Sequence, residues 1–190
     1  MAYLESERIV LREYRMEDLP YMRKWANNFD ITNNLHDIFI YPQTMHDTES
    51  FLTMMVEGKA ESKGFIIAAP DTLEYIGQID LHRIDWKNRS AILGIVIGRE
   101  EYLGKGIGKE AIELIQEFVF NSLNLNRLEL EVYEFNTRAY KCYIKCGFVE
   151  EGRLRKKLFR QGKYWDVIQM GILKEEYEQK RENAGINDNH

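Results

Sequence analysis

The sequence predicts one α/β (α+β) domain built on a mixed, mostly antiparallel sheet, and three observations carry that prediction. Ser90–Ile97 is apolar on both faces, which marks a strand central in its sheet. Gly104, Gly106 and Gly108 follow it and open an amphipathic helix. Arg127-Leu128-Glu129-Leu130-Glu131-Val132-Tyr133 then alternates as a half-buried strand. Strand, helix and strand within roughly 40 residues make a right-handed crossover to a parallel neighbour the default. At 190 residues, with 44% apolar and 30% charged side chains, the chain suits one soluble globular domain.

The remaining elements follow in chain order. Residues 8–14 alternate Ile9 and Leu11 against Val10 and Arg12, a first strand. Glu17 and Asp18 sit at the positive end of a first helix, and its first turn tolerates Pro20. Leu19, Met22, Trp25 and Ala26 form its apolar stripe, and Asn27 and Asn28 end it. Residues 30–46 mix turn formers with Ile31, Leu35, Ile38, Phe39 and Ile40, and read as a substrate-facing loop. Thr44 or Asp47 caps a helix that carries Phe51, Leu52, Met54, Met55 and Val56 and stops near Gly58. Residues 64–69 and 75–84 read as strands, with turns at 70–72 and 85–88, so an antiparallel meander leads into the central strand.

After the glycines, Ile107, Ala111, Ile112, Leu114, Ile115, Phe118 and Val119 recur at helical spacing. Asn136 is a good N-cap for a short helix that ends at Gly147. From Phe148 two long strands meet at Arg160-Gln161-Gly162-Lys163. The domain is expected to span 1–174, and residues 175–190 read as a charged, flexible tail.

Bulk properties narrow the function. A net charge of −5 argues against a general nucleic-acid surface. Cys142 and Cys146, four apart on a helix, form no disulfide framework and read as small core residues in a reducing compartment. No signal peptide is visible, and no run approaches the roughly 20 apolar residues of a membrane span. A cytoplasmic protein without membrane contact is expected. The four histidines lack metal-site spacing, so no metal is expected.

Glycines at a helix start admit phosphate oxygens, because no Cβ blocks the backbone and the first-turn N–H groups are unpaired. A P-loop needs Gly five residues before Gly-Lys-Ser/Thr; here Arg99 fills the first slot and Gly106 the last. A Rossmann G-x-G-x-x-G started at Gly104 ends on Lys109. Both motifs fail.

The segment Leu103-Gly104-Lys105-Gly106-Ile107-Gly108 resembles the acetyl-CoA loop of the GNAT N-acetyltransferases, Gln/Arg-x-x-Gly-x-Gly/Ala. Asn136-Thr137-Arg138-Ala139-Tyr140-Lys141-Cys142-Tyr143, continuing to Gly147-Phe148, resembles that family's later motif. The ending, from Glu151-Gly152-Arg153 to Trp165-Asp166-Val167, is most similar to the branch of ribosomal-protein N-terminal and spermidine acetyltransferases. The resemblance implies a GNAT fold of about seven strands, with helices on both faces and a V-shaped opening between two parallel central strands. It implies direct acetyl transfer from acetyl-CoA to a primary amine, either a protein N-terminus or a polyamine-like molecule. By analogy, exposed faces on the final strands allow a homodimer.

The same resemblance assigns residues. Ile95 and Ile97, with Val96 between them, would pair through their backbone with the pantetheine arm. Amides from Leu103 through Gly104, Lys105, Gly106, Ile107, Gly108 and Lys109 would hold the pyrophosphate, with charge from Lys105 and Lys109. Asn136 and Ala139 would lie against the arm, although capping alone explains an Asn at 136. Tyr143 would protonate the leaving thiolate, a role suited to a phenol of pKa near 10.

Two positions depart from the pattern. Leu103 stands where Gln or Arg is usual, and Ala91-Ile92-Leu93-Gly94 stands where many relatives read Ala-Glu-Leu-Gly. The customary carboxylate base is therefore missing. Freeing an alkyl ammonium of pKa about 10.4 at neutral pH costs about 4–5 kcal/mol, against about 1 kcal/mol for an α-amine. This favours an α-amine or proton removal through water. Glu129, Glu131, Asp80, His36 and Asp37 are the candidate replacements, Glu129 and Glu131 first because they share one strand face. The alternative is a CoA-binding regulatory module with little turnover.

Overall fold

A computed structural model describes residues 4–185. The strands are β1 (Leu4–Glu5), β2 (Val10–Arg12), β3 (Lys63–Ala68), β4 (Tyr75–Asp85), β5 (Ser90–Ile97), β6 (Arg127–Tyr133), β7 (Val149–Arg160) and β8 (Lys163–Leu173). The helices are α1 (Leu19–Trp25), α2 (Phe29–Thr32), α3 (Met45–Val56), α4 (Ile107–Glu117), α5 (Thr137–Lys145) and α6 (Lys174–Asn183). One eight-stranded sheet runs β1-β2-β3-β4-β5-β6-β8-β7. β1 to β4 pair antiparallel, as do β6 with β8 and β8 with β7. β5 and β6 are parallel, through Ser90↔Arg127, Ala91↔Leu128 and Ile92↔Glu129. The expected parallel neighbour of β5 is present as β6, with α4 between them in the chain, and β3 and β4 pair antiparallel ahead of β5.

The chain divides into two compact units: residues up to 83 with 94–114, and 84–93 with residues from 115. β4, β5 and α4 contribute to both. In the first unit Val10, Tyr14, Met22, Trp25, Leu52, Ile66 and Tyr75 form a buried cluster. Arg12 and Asp18 are buried as a two-pronged ion pair at 2.9 and 2.6 Å, so neither charge lacks a partner. α3 begins at a capping box, in which Asp47 N–H donates to Thr44 Oγ1 at 3.1 Å and Thr44 N–H to Asp47 Oδ2 at 2.8 Å. In the second unit Leu128, Leu130 and Val132 are buried, while the alternate residues of β6 face outward. β7 and β8 join through Gln161 (φ +53°) and Gly162 (φ +78°), the left-handed pair that a two-residue hairpin turn requires.

Several expectations need correction. The sheet has eight strands rather than seven, because Leu4–Glu5 adds a two-residue edge on β2. The first strand is three residues long, not seven. Residues 30–46 hold α2 and a 3₁₀ turn at Asp37–Ile40. The tail expected from 175 is instead α6 over Lys174–Asn183. Tyr177 is buried against Phe120, with ring centroids 5.0 Å apart, and Glu176 accepts the Leu173 N–H at 2.8 Å. One buried aromatic and a cap hold a helix whose other residues are polar. Residues 186–190 of that expected tail lie outside the described residues. Cys146 is buried as expected, but Cys142 is only half-buried.

Candidate active site

The glycine loop lies wholly in the first unit. Gly77 lets β5 approach β4 closely, because a Cβ there would overlap the Val96 carbonyl. β5 ends where Gly98 and Arg99 N–H both donate to the Ile76 carbonyl, at 3.0 and 3.1 Å. Arg99 then turns to Glu74 at 2.9 Å and Glu101 at 2.6 Å. Gly104 (φ +73°) and Gly106 (φ +84°) adopt backbone conformations that side chains rarely take. Among the described residues nothing lies within 4 Å of a Cβ built at Gly104, and only Arg8 Nη2, at 3.4 Å, near one at Gly106. Gly104, Lys105 and Gly106 are exposed, whereas Ile107 is buried and anchors the helix.

Arg8 braces this loop. Its Nη1 donates to the Lys105 carbonyl at 2.9 Å and its Nε to Glu110 Oε2 at 2.8 Å. The Ser6 hydroxyl also donates to Glu110. Burial alone would raise the Glu110 pKa; the hydrogen bonds from Ser6 and Arg8 outweigh it and lower it. Among the described residues the Lys105 ammonium has no ion-pair partner. Lys109 is held by Glu113, 2.7 Å from both carboxylate oxygens. Of the two lysines expected to add charge, Lys105 is the available one. Along β5, Ile95, Val96 and Ile97 are half-buried rather than fully enclosed. An open turn of backbone with positive φ, first-turn amides and one unpaired cation fit a diphosphate.

The second unit holds the later motif. Asn136 Oδ1 accepts the Ala139 N–H at 3.2 Å, so its side chain caps α5. Tyr143 is half-buried, with its ring edge-on to Phe148 at 5.9 Å. Among the described residues its hydroxyl has no hydrogen-bond partner. Burial raises its pKa above 10, helped by Cys142 and Cys146, so the phenol keeps its proton throughout the neutral range.

The candidate bases separate clearly. Glu129 accepts from Arg127 at 2.7 Å, and Arg127 also grips Glu151 through two nitrogens at 2.7 and 2.5 Å. The bonds to Glu151 raise the Arg127 pKa and lower that of Glu151. Glu131 faces Lys157 at 3.2 Å. His36 Nδ1 accepts the Ile38 N–H at 3.4 Å and caps a 3₁₀ turn, and Asp37 is exposed within it. Asp80 is buried; Tyr14 donates to it at 2.5 Å and Gln78 at 3.2 Å. Desolvation raises its pKa to about 7 against these bonds. Sequence reasoning passed over His82, two residues on, whose imidazole lies over Gly94 of β5. Its signal is the absence of a side chain at Gly94, visible only once β4 and β5 are aligned. Among the described residues no group of three His, Cys, Asp or Glu side chains could hold a metal, and no helix is long and apolar enough to cross a membrane.

Comparison with known proteins converges on one family. The profile of the acetyltransferase (GNAT) domain matches residues 8–149. The spermidine N(1)-acetyltransferase of Vibrio cholerae is 31% identical over 90% of this chain and 96% of its own. A putative ribosomal N-acetyltransferase of Bacillus subtilis is 34% identical over 54% of this chain and 55% of its own. The crystal structure of the Vibrio cholerae spermidine N-acetyltransferase with CoA and spermine superposes with a TM-score of 0.79 at 30% identity, covering 91% of this chain and 99% of that one.

Proposed function

The chain belongs to the GNAT acetyltransferase family, and from this we propose that the amine it acetylates is a polyamine-like small molecule. It is an acetyl-CoA-dependent acyltransferase that transfers acetyl to an amine. Acetyl-CoA supplies the acetyl group activated as a thioester. One observation on this chain carries the choice of acceptor. Residues 25–56 contain Asp30, Asp37, Asp47 and Glu49 and neither Lys nor Arg. In the same segment Phe29, Ile38, Ile40 and Tyr41 are exposed. Carboxylates interleaved with apolar surface suit ammonium groups spaced by methylenes. The relatives acting on spermidine support the same class.

The residues then take these roles. Amides from 104 to 109, with Lys105, hold the diphosphate, and Arg8 fixes the loop through the Lys105 carbonyl. The β5 backbone at Ile95 and Ile97 aligns the arm. Tyr143 donates a proton to the departing thiolate; its unengaged hydroxyl and raised pKa support a donor that is protonated at neutral pH. A protein N-terminus is the second reading, favoured by Ile92 at the position where relatives carry Glu, because an α-amine is easier to deprotonate. The test is an acetyl-CoA turnover screen over spermidine, spermine, N-terminal peptides and aminoglycosides. Polyamine turnover is expected. Efficient acetylation of peptide N-termini without polyamine turnover overturns the choice of acceptor.

A further inference from the structure

An alkylammonium acceptor must lose a proton before its nitrogen can attack, and three of the candidate carboxylates are engaged. Glu129 and Glu131 are ion-paired, and Asp80 is enclosed by Tyr14 and Gln78. We propose that His82 of β4 is the proton acceptor for the substrate ammonium. The inference rests on amine acetylation by this chain.

The geometry starts from strand alternation, which turns Gln78, Asp80 and His82 to one face of β4. A glycine flanks each of the last two. A Cβ at Gly64 of β3 would overlap Asp80 Oδ1, and one at Gly94 of β5 would overlap His82 Nε2. Asp80 therefore leans toward β3 and closes on Tyr14, whereas His82 lies across β5. Gln78 and Asp80 are buried, but the row opens to solvent at His82. Gly94 begins the stretch of β5 that leads to the glycine loop. An arm anchored at 104–109 and running back beside Ile97 and Ile95 reaches Gly94 about 10 Å from Ile97, at about 3.3 Å per residue. His82 Nε2 thus stands at the reacting end of the arm, on a ring that solvent and an acceptor can reach.

Although the residue is open to solvent, desolvation of its ring lowers the His82 pKa, as does nearby His36 of the 3₁₀ turn. Asp80 stands two residues before it on the same strand face, and Gly94 brings no titratable group. The imidazole is neutral at pH 7 and able to accept. His82 Nε2 takes one proton from R–NH₃⁺. The freed nitrogen lone pair forms the C–N bond at the thioester carbonyl, the C–S bond breaks, and the Tyr143 proton goes to sulfur. The proton shed by the new amide nitrogen restores the Tyr143 phenol, and His82 releases its proton to solvent.

The test compares wild type with His82→Gln and His82→Asn on spermidine and on 2,2,2-trifluoroethylamine, an amine unprotonated at neutral pH. The expected result is a loss of about 100-fold or more in kcat/KM for spermidine at pH 7. The loss shrinks as pH approaches the ammonium pKa and is near absent for trifluoroethylamine, with unchanged acetyl-CoA affinity. Equal losses on both amines at every pH, or no loss, overturn the proposal. Wild type gives a reading that needs no variant. A kcat/KM plateau for spermidine from below pH 6.5 to the amine's own pKa supports His82, and a unit slope across that range overturns it. Absence of wild-type turnover on any primary amine overturns the functional reading as well, whereas turnover unaffected by His82→Gln overturns this one alone.

Discussion

The starts of α4 and α5 solve the same problem in opposite ways. Every helix leaves its first amides without internal acceptors. α5 meets this itself, because Asn136 accepts from Ala139. α4 is preceded by Gly106, which has no side chain to offer, and its nearby acid Glu110 is turned away to Ser6 and Arg8. One end is closed by its own sequence; the other keeps donors directed outward, and a guanidinium from the β2 side stiffens the loop around them. Chemistry that needs an external anion collects at the second kind. The closed end serves to fix a helix, and that helix presents Tyr143.

The strongest way to probe the closed side is Tyr143→Phe, which spares the cap and removes only the hydroxyl. A fall in kcat of about 100-fold or more is expected with acetyl-CoA KM near wild type; an unchanged kcat removes the acid role. Gly106→Val attacks the open side. A β-branched residue at φ +84° is strained by about 1–3 kcal/mol, so acetyl-CoA should bind roughly tenfold more weakly by calorimetry. Asn136→Ala should destabilise by about 1 kcal/mol in thermal melts. Asn136→Asp restores the cap, and activity returning with stability would confine Asn136 to capping. Lys105→Gln has the smallest expected effect, a few-fold rise in acetyl-CoA KM that fades as salt is added.

The sequence exposed those parts whose signal is local. β5 and β6 were legible to the residue, because one is apolar on both faces and the other alternates strictly. α5 was legible from Asn136 and Gly147, and the last hairpin from Gln161-Gly162. β1 was not, since two residues carry no period and exist as a strand only against Val10 and Leu11. α6 was hidden because its anchor is a single Tyr177, whose partner Phe120 lies far back in the chain. In the candidate site, the glycine loop stood out by spacing, and Tyr143 only through the family resemblance. The brace from Arg8 to Lys105 and Glu110 spans about a hundred residues, which no window of sequence contains, and the placement of His82 over Gly94 depends on the exact register of β4 against β5.

The enclosed carboxyl of Asp80 has a thermodynamic consequence. In the folded chain it holds its proton up to about pH 7, whereas an aspartate in the unfolded chain gives it up near 3.9. Between those values this position binds more proton folded than unfolded, so its contribution to stability declines as pH rises toward 7. Glu110, with its lowered pKa, behaves oppositely and loses its contribution as pH falls. Near pH 6 folding therefore takes up a proton from the buffer at Asp80, and the heat of folding measured there depends on the ionisation enthalpy of the buffer chosen.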